Sequence, residues 1–210
     1  MNLKTIIRFL KTSPLMMPVL ALINAILWLT DTVAMLVTPA RPTQPTLLIV
    51  RLDVLGDYLL FRNYLRIIKA SDTYRHHRLV LLGNVAVKSL AEPFDREVVD
   101  AFLWVDIYKL STRPMYRFTV VRQLRRLGAT VTFCPTYSRV LVLDDFMARA
   151  SGAAERIGCV TDYSNLKRWE GWYGNRIYTR LIDSGPGVIF EMERDRRIVE
   201  GFLKQPIATQ

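Results

Sequence analysis

The stretch LLIVRLDVLGDYLLFRNYLRIIK, Leu47 to Lys69, changes its hydrophobic period at one point, and that change decides the fold. Leu47 to Leu52 is a short apolar run with Ile49 and Val50, preceded by the proline-rich PARPTQPT; it reads as a strand buried in a parallel sheet. From Asp57 onward Leu60, Tyr64 and Ile67, with Phe61, Leu65 and Ile68, recur at helical spacing, while Arg62, Asn63, Arg66 and Lys69 fall on the wetter side. The turn between them is Asp53-Val54-Leu55-Gly56-Asp57. Gly56 is expected to supply a tight or positive-φ bend. Asp57 is expected at the helix start, either as a cap on unpaired N–H groups or as a functional carboxylate, because open α/β sheets bind ligands beyond the carboxyl ends of their strands.

Downstream the chain alternates in the manner of βα units. RLVLLG (Arg78–Gly83) reads as a second strand, Asn84 to Ala91 as a short helix, Glu92 to Asp95 as a turn around Pro93, and Ala101 to Val105 as a third strand. A helix from about Pro114 to Leu127 sets Tyr116, Val120, Val121, Leu124 and Leu127 opposite Arg117, Arg122, Arg125 and Arg126; Gly128 ends it, and ATVTFC (Ala129–Cys134) is the next buried strand. Pro135-Thr136-Tyr137-Ser138-Arg139 follows as another strand-to-helix turn. Its Thr136, Ser138 and Arg139 suit either ordinary capping or contacts to sugar and phosphate. A helix over Val140–Ala150, a short edge strand at Arg156-Ile157-Gly158 and a break at Gly185-Pro186-Gly187 lead to an amphipathic helix, Phe190 to Leu203. Between them, Trp169, Trp172, Tyr173 and Tyr178 interleave with Arg168, Arg176 and Arg180, a pattern of core packing or of a surface that stacks on sugars.

At 210 residues the chain can bury a real core, and its 29 Lys and Arg against 19 Asp and Glu, a net charge of +10, suit an anionic partner. No nucleic-acid-binding motif accompanies that charge, so nucleic acid is not an expected partner. Cys134 and Cys159 form no metal-type spacing, His76 and His77 stand together in a polar turn, and neither a phosphate loop nor a nucleophile elbow is present.

Residues 1–38 carry Lys4, Arg8 and Lys11 ahead of an apolar stretch, Leu15 to Val37, close to the roughly 20 residues of a membrane span. Pro18, Asn24 and Thr30-Asp31-Thr32 interrupt it. These interruptions leave open a true span, a helix packed on the protein, and a segment that lies in a leaflet or makes a re-entrant hairpin broken at Pro18. Residues 39–46 are the expected linker, 47–189 the α/β domain, and 190–210 a linker helix and tail.

RLDVLGDYLLFRNYLR resembles the N-terminal signature of glycosyltransferase family 9, the heptosyltransferases, whose members begin with a strand, a turn of form R-x-D-x-x-G-D and a helix. Arg51, Asp53, Gly56 and Asp57 match that turn position by position. The likeness extends loosely from Leu47 to Leu203, through Arg156-Ile157-Gly158 and FEMERDRRIVEGFL, which is similar to the family's linker helix with Asp195 where Asn is common. It implies a Rossmann-like doubly wound parallel sheet, the acceptor-side half of a GT-B enzyme whose donor domain has no counterpart in this sequence. It further implies inverting transfer from a nucleotide-sugar, ADP-heptose, to a lipopolysaccharide-core glycolipid at the cytoplasmic face of the bacterial inner membrane. Asp57 would be the base, with Arg51 and Asp53 organising the turn or engaging the acceptor and no metal cofactor. A non-catalytic, membrane-associated glycolipid-binding chain is the other reading.

Overall fold

Strand β1 (Thr46–Arg51) is buried along its whole length, as its unbroken apolar run requires. Leu47 and Ile49 enter one core and Leu48 and Val50 the opposite one. This two-sided burial is what a central parallel strand produces. A computed structural model describing residues 17–185, 187 and 189–207 places β1 third in a six-stranded sheet of order β3-β2-β1-β4-β5-β6. Its partners are β2 (Arg78–Asn84), β3 (Ala101–Val105), β4 (Val131–Phe133), β5 (Glu155–Cys159) and β6 (Arg180–Ile182). All five pairings are parallel. The chain is thus α/β with a Rossmann-like, doubly wound sheet, and the strand order reverses direction between β1 and β4.

Helices cover both faces. On one lie α2 (Leu55–Ala70), α3 (Lys88–Asp95) and α8 (Glu191–Leu203). On the other lie α1 (Met17–Val37), α4 (Ile107–Thr112), α5 (Pro114–Arg126) and α6 (Phe146–Ser151), the last entered through a π-type turn at Leu141–Asp145. A short helix, α7 (Arg168–Asn175), precedes β6.

Two expectations from the sequence are corrected here. Pro93 lies inside α3 rather than in a turn, at the cost of one backbone hydrogen bond in a short helix. Arg156-Ile157-Gly158 is not at the edge, because β6 pairs beyond it. The expected amphipathic helix α8 packs its apolar face on this sheet: Phe202 stacks on Phe133 with ring centroids 3.9 Å apart and on Tyr74 at 4.7 Å.

The N-terminal segment is described from Met17 onward. Helix α1 runs unbroken from Met17 to Val37, with Pro18 in its first turn, where a missing N–H costs no intrahelical bond. It docks along α5. Asp31 and Arg117, both fully buried, pair through two bonds of 2.7 Å, and Arg117 also donates to the carbonyls of Leu110 and Val142. Leu27 and Ala34 face the same way, while Thr38 receives Arg122 and Arg125. Of the polar residues that interrupt the apolar run, Asp31, Asn24 (which donates to Glu170) and Thr32 (which accepts from Arg149) attach the helix to the fold. Lys4, Arg8 and Lys11 lie outside the described residues.

Candidate functional site at the β1–β4 crevice

The strand ends at the direction switch bring two loops together. The β1 loop supplies Asp53 and Asp57, and the β4 loop supplies Thr136, Tyr137 and Ser138; with Arg51 and Glu191 they line a hollow of about 160 Å³. Arg51 is its buried centre. The guanidinium stands 2.8 Å from Asp53, donates to the carbonyls of Pro135 and Asp57, lies 3.6 Å from Asp195, and covers the Phe61 ring at 4.7 Å. One side chain thus ties the β1 turn, the β4 turn and α8. Arg51 organises the turn and is already engaged by protein.

Asp57 is the half-exposed carboxylate of the crevice. Helix α2 starts at Leu55 after an N-cap at Val54 without a side-chain cap, which puts Asp57 inside the first turn. Its carboxylate makes no hydrogen bond or ion pair among the described residues, so the capping role is not the one it plays. Gly56 also differs from expectation: its φ is not positive, and a side chain there would meet only open space. Glycine at this position leaves room beside Asp57; no bend depends on it.

The β4 loop divides its residues. The Ser138 hydroxyl donates to Asp162 at 3.0 Å, and Asn165 donates to the Ser138 carbonyl at 2.8 Å, fixing this wall. Thr136 is buried beside Asp53, its hydroxyl without a well-formed hydrogen bond. Arg139, expected as an acceptor contact, turns inward instead. It is fully buried, pairs with Asp145 at 2.6 Å, donates to Asn175 and covers Tyr178. A bound Arg139 locks α7 and the π-type turn to the sheet and cannot reach a ligand in the crevice.

Two carboxyls join this site from afar. Asp195 on α8 is fully buried with neither oxygen hydrogen-bonded, and burial pushes its pKa up to about 7 against the opposing pull of Arg51; Glu191, Asp53 and Asp57 push the same way as burial. Burial and the charge of Asp53 raise Asp144 to about 8, although the Val140 N–H, which donates to it, favours the anion. Asp53 is raised too, by burial first, with Arg51 opposing and Asp57 adding to the rise. Three carboxyls, Asp53, Asp57 and Asp195, thus act on one guanidinium, with Asp144 beside Asp53. Such a site holds protons and accepts hydrogen bonds from hydroxyls, and it repels phosphate. The signal for Asp195 lay in the acidic and basic face of α8, but its direction toward Arg51 is visible only in the fold.

Arg194 is buried behind the crevice's Tyr137. It covers the Tyr137 ring at 3.7 Å and donates to Ser184 and to the Gly187 carbonyl, holding the loop whose Gly185 and Gly187 adopt φ of 90° and 88°. Cys134 and Cys159 are buried free thiols, with Cys159 pushed up to about 12 by burial, which makes it a poor nucleophile. No group of three or more His, Cys, Asp and Glu side chains placed to hold a metal ion occurs among the described residues. The chain matches no protein-family model, and no curated protein matches it significantly.

Proposed function

We propose that this chain is the acceptor-side domain of an inverting glycosyltransferase, with Asp57 as the base that takes the proton of the attacking sugar hydroxyl. The single observation that carries the reading is a carboxylate without a protein partner at the start of α2, lining the crevice between β1 and β4. In an inverting displacement the acceptor oxygen attacks the anomeric carbon, the bond to the nucleotide diphosphate breaks, and the proton passes to the base. Asp57 is free to accept it; Asp53 and Ser138 border the same hollow and suit sugar hydroxyls. Arg51 is spent on Asp53 and Asp195, so the donor's phosphates must be met by groups outside this crevice.

The acceptor fitting this arrangement is an amphiphilic glycolipid of the lipopolysaccharide-core type, with a nucleotide-sugar such as ADP-heptose as donor. Helix α1 turns Leu22, Leu29, Leu36 and Val37 outward, each more than half exposed, and the Trp28 indole donates to Tyr173 at that surface. An apolar helix face with Trp and Tyr beside it and arginines around it suits a monotopic seat on the cytoplasmic leaflet. A second hollow, about 330 Å³, is lined by Leu20 and Asn24 of α1 and by residues 140–142 and 164–167, among them Asn165, which donates to the Ser138 carbonyl of the crevice. Lipid and sugar ends of one acceptor would thus meet two hollows linked through that bond. The reading of a non-catalytic glycolipid-binding chain is favoured by one observation, the small 160 Å³ volume of the crevice against the roughly 300 Å³ or more of ordinary ligand pockets.

A single-turnover assay with ADP-heptose and vesicle-borne acceptor tests both readings. Transfer by the wild type, reduced about 10²- to 10⁴-fold in Asp57→Asn with unchanged circular dichroism, supports the base. Equal rates would remove it, and acceptor binding without any transfer would leave the binding chain. Flotation with anionic vesicles, lost in Leu29→Asp/Leu36→Asp while the chain stays folded, tests the seat. A soluble dimer abolished by the same pair of changes, with no flotation, would assign this face to a second copy instead.

A further inference from the structure

Away from the crevice, on the outer side of the 162–165 loop, Tyr163, Arg168, Trp172, Asn175 and Arg176 bound a separate hollow of about 700 Å³. Its construction uses two features unfavourable in themselves. Tyr163 adopts a left-handed backbone, φ 60°, which is strained for a residue with a Cβ. Gly171 sits within α7, where glycine costs about 1 kcal/mol relative to alanine, and any side chain there would collide with the Tyr163 ring. Together they lay the phenol ring along the helix. Trp172 remains 60% exposed although the Arg176 guanidinium covers its indole at 3.5 Å to the centroid.

The polar groups of this hollow are equally organised. Asn175 gives its Oδ1 to the fully buried Arg139, which can only donate, so the amide Nδ2 is left as a donor on the hollow's lining. Arg176 is fixed by its stack on Trp172 and by donation to the Trp172 carbonyl, with its remaining N–H groups free. Arg168 is exposed and forms no ion pair among the described residues. The hollow therefore offers two guanidinium groups and an amide N–H₂, all donors, between two exposed aromatic rings, with no carboxylate on its lining.

We infer that this hollow binds a phosphorylated sugar, its phosphate held by Arg168, Arg176 and the Asn175 amide and its ring against Tyr163 and Trp172. Guanidinium forks match phosphate oxygens, and the apolar face of a sugar ring packs on aromatic side chains. The site is chemically the opposite of the β1–β4 crevice, which is rich in carboxyls. It is independent of sugar transfer at Asp57, and its ligand is either a free sugar phosphate or the phosphorylated head of a glycolipid.

Calorimetric titration of the full chain with glucosamine 1-phosphate, glucosamine and inorganic phosphate tests the chemistry. Co-sedimentation with phosphatidylcholine vesicles, with and without a phosphorylated glucosamine lipid, separates the two sources. The expected result is binding of glucosamine 1-phosphate, or of the phosphoglycolipid vesicles alone if the lipid is the source, each weakened about tenfold or more by Arg168→Ala and by Trp172→Ala. Trp172→Phe should restore much of the affinity, and Arg66→Ala, which removes an exposed charge elsewhere, should leave it within about twofold. Because Arg168 and Trp172 are exposed, these variants should keep the wild-type thermal midpoint. Binding of neither phosphorylated probe, binding of inorganic phosphate as tight as that of the sugar phosphate, or affinities unmoved in Arg168→Ala and Trp172→Ala would each overturn the assignment.

Discussion

Arg117 and Arg51 are both buried arginines, yet their surroundings differ in charge balance. Arg117 meets one carboxylate, Asp31, through two bonds of 2.7 Å, and two carbonyls accept from its Nη1. The set is closed, and no group in it faces solvent. Arg51 meets Asp53 and Asp195, neither in a two-bond fork, while Asp57 stands nearby at the mouth of a hollow. A pair matched one charge to one, with four of the five guanidinium donors used, joins two elements of the fold. An unmatched set with surplus carboxyls, opening on a crevice, suits the proton transfer proposed for it.

The largest effect should come from breaking the closed pair. Arg117→Met strands Asp31 in the core and should cost about 3–5 kcal/mol in urea unfolding, whereas Asp31→Leu/Arg117→Met should recover most of that loss. If the single change costs less than about 1 kcal/mol, the pair is not the bond that holds α1, and the contrast with Arg51 weakens.

The open set should respond to pH in a defined direction. Asp195 titrates near 7 in the folded chain against an ordinary value of 3.8, so the folded state holds this proton more tightly than the unfolded one. Stability contributed by the protonated group is complete below about pH 4 and is lost as pH rises through 7. Asp195→Asn should therefore flatten the decline in unfolding free energy between about pH 4 and 8, by about 2–4 kcal/mol over the window. The same decline in wild type and variant would show that Asp195 is ionised throughout and that the set is balanced after all.

A smaller test concerns the turn itself. Gly56 lies in the first turn of α2 with ordinary backbone and open space around it, so Gly56→Ala should raise stability by up to about 1 kcal/mol. A loss instead would mean that the turn does depend on glycine. Measured together with acceptor binding, the same variant reports whether the space beside Asp57 is used.

Much of this contrast was visible along the chain only on its local side. The switch of period at Asp53–Asp57 placed β1, the turn and α2, because strand and helix patterns there are long and unmixed. The three-residue strand β6 carries no alternation that sets it apart from the arginines and aromatics before it. Helix α8 has an amphipathic pattern, but that pattern does not say whether its apolar face meets this sheet or another domain. Asp31 read as a flaw in an apolar run because its partner lies 86 positions away. Arg139 and Ser138 are neighbours in one turn, yet only Ser138 borders the crevice; Asp145 and Asn175, which draw Arg139 inward, come from later elements. Long-range electrostatic partners, unlike periodicity, leave no local trace.

Most direct for Asp57 is a structure of the chain with an acceptor oligosaccharide bound. One sugar hydroxyl should stand about 2.6–3.2 Å from the Asp57 carboxylate, with the sugar between the β1 and β4 loops. A sugar seated outside that crevice, or an Asp57 carboxylate turned away from every hydroxyl, would contradict its role as the base.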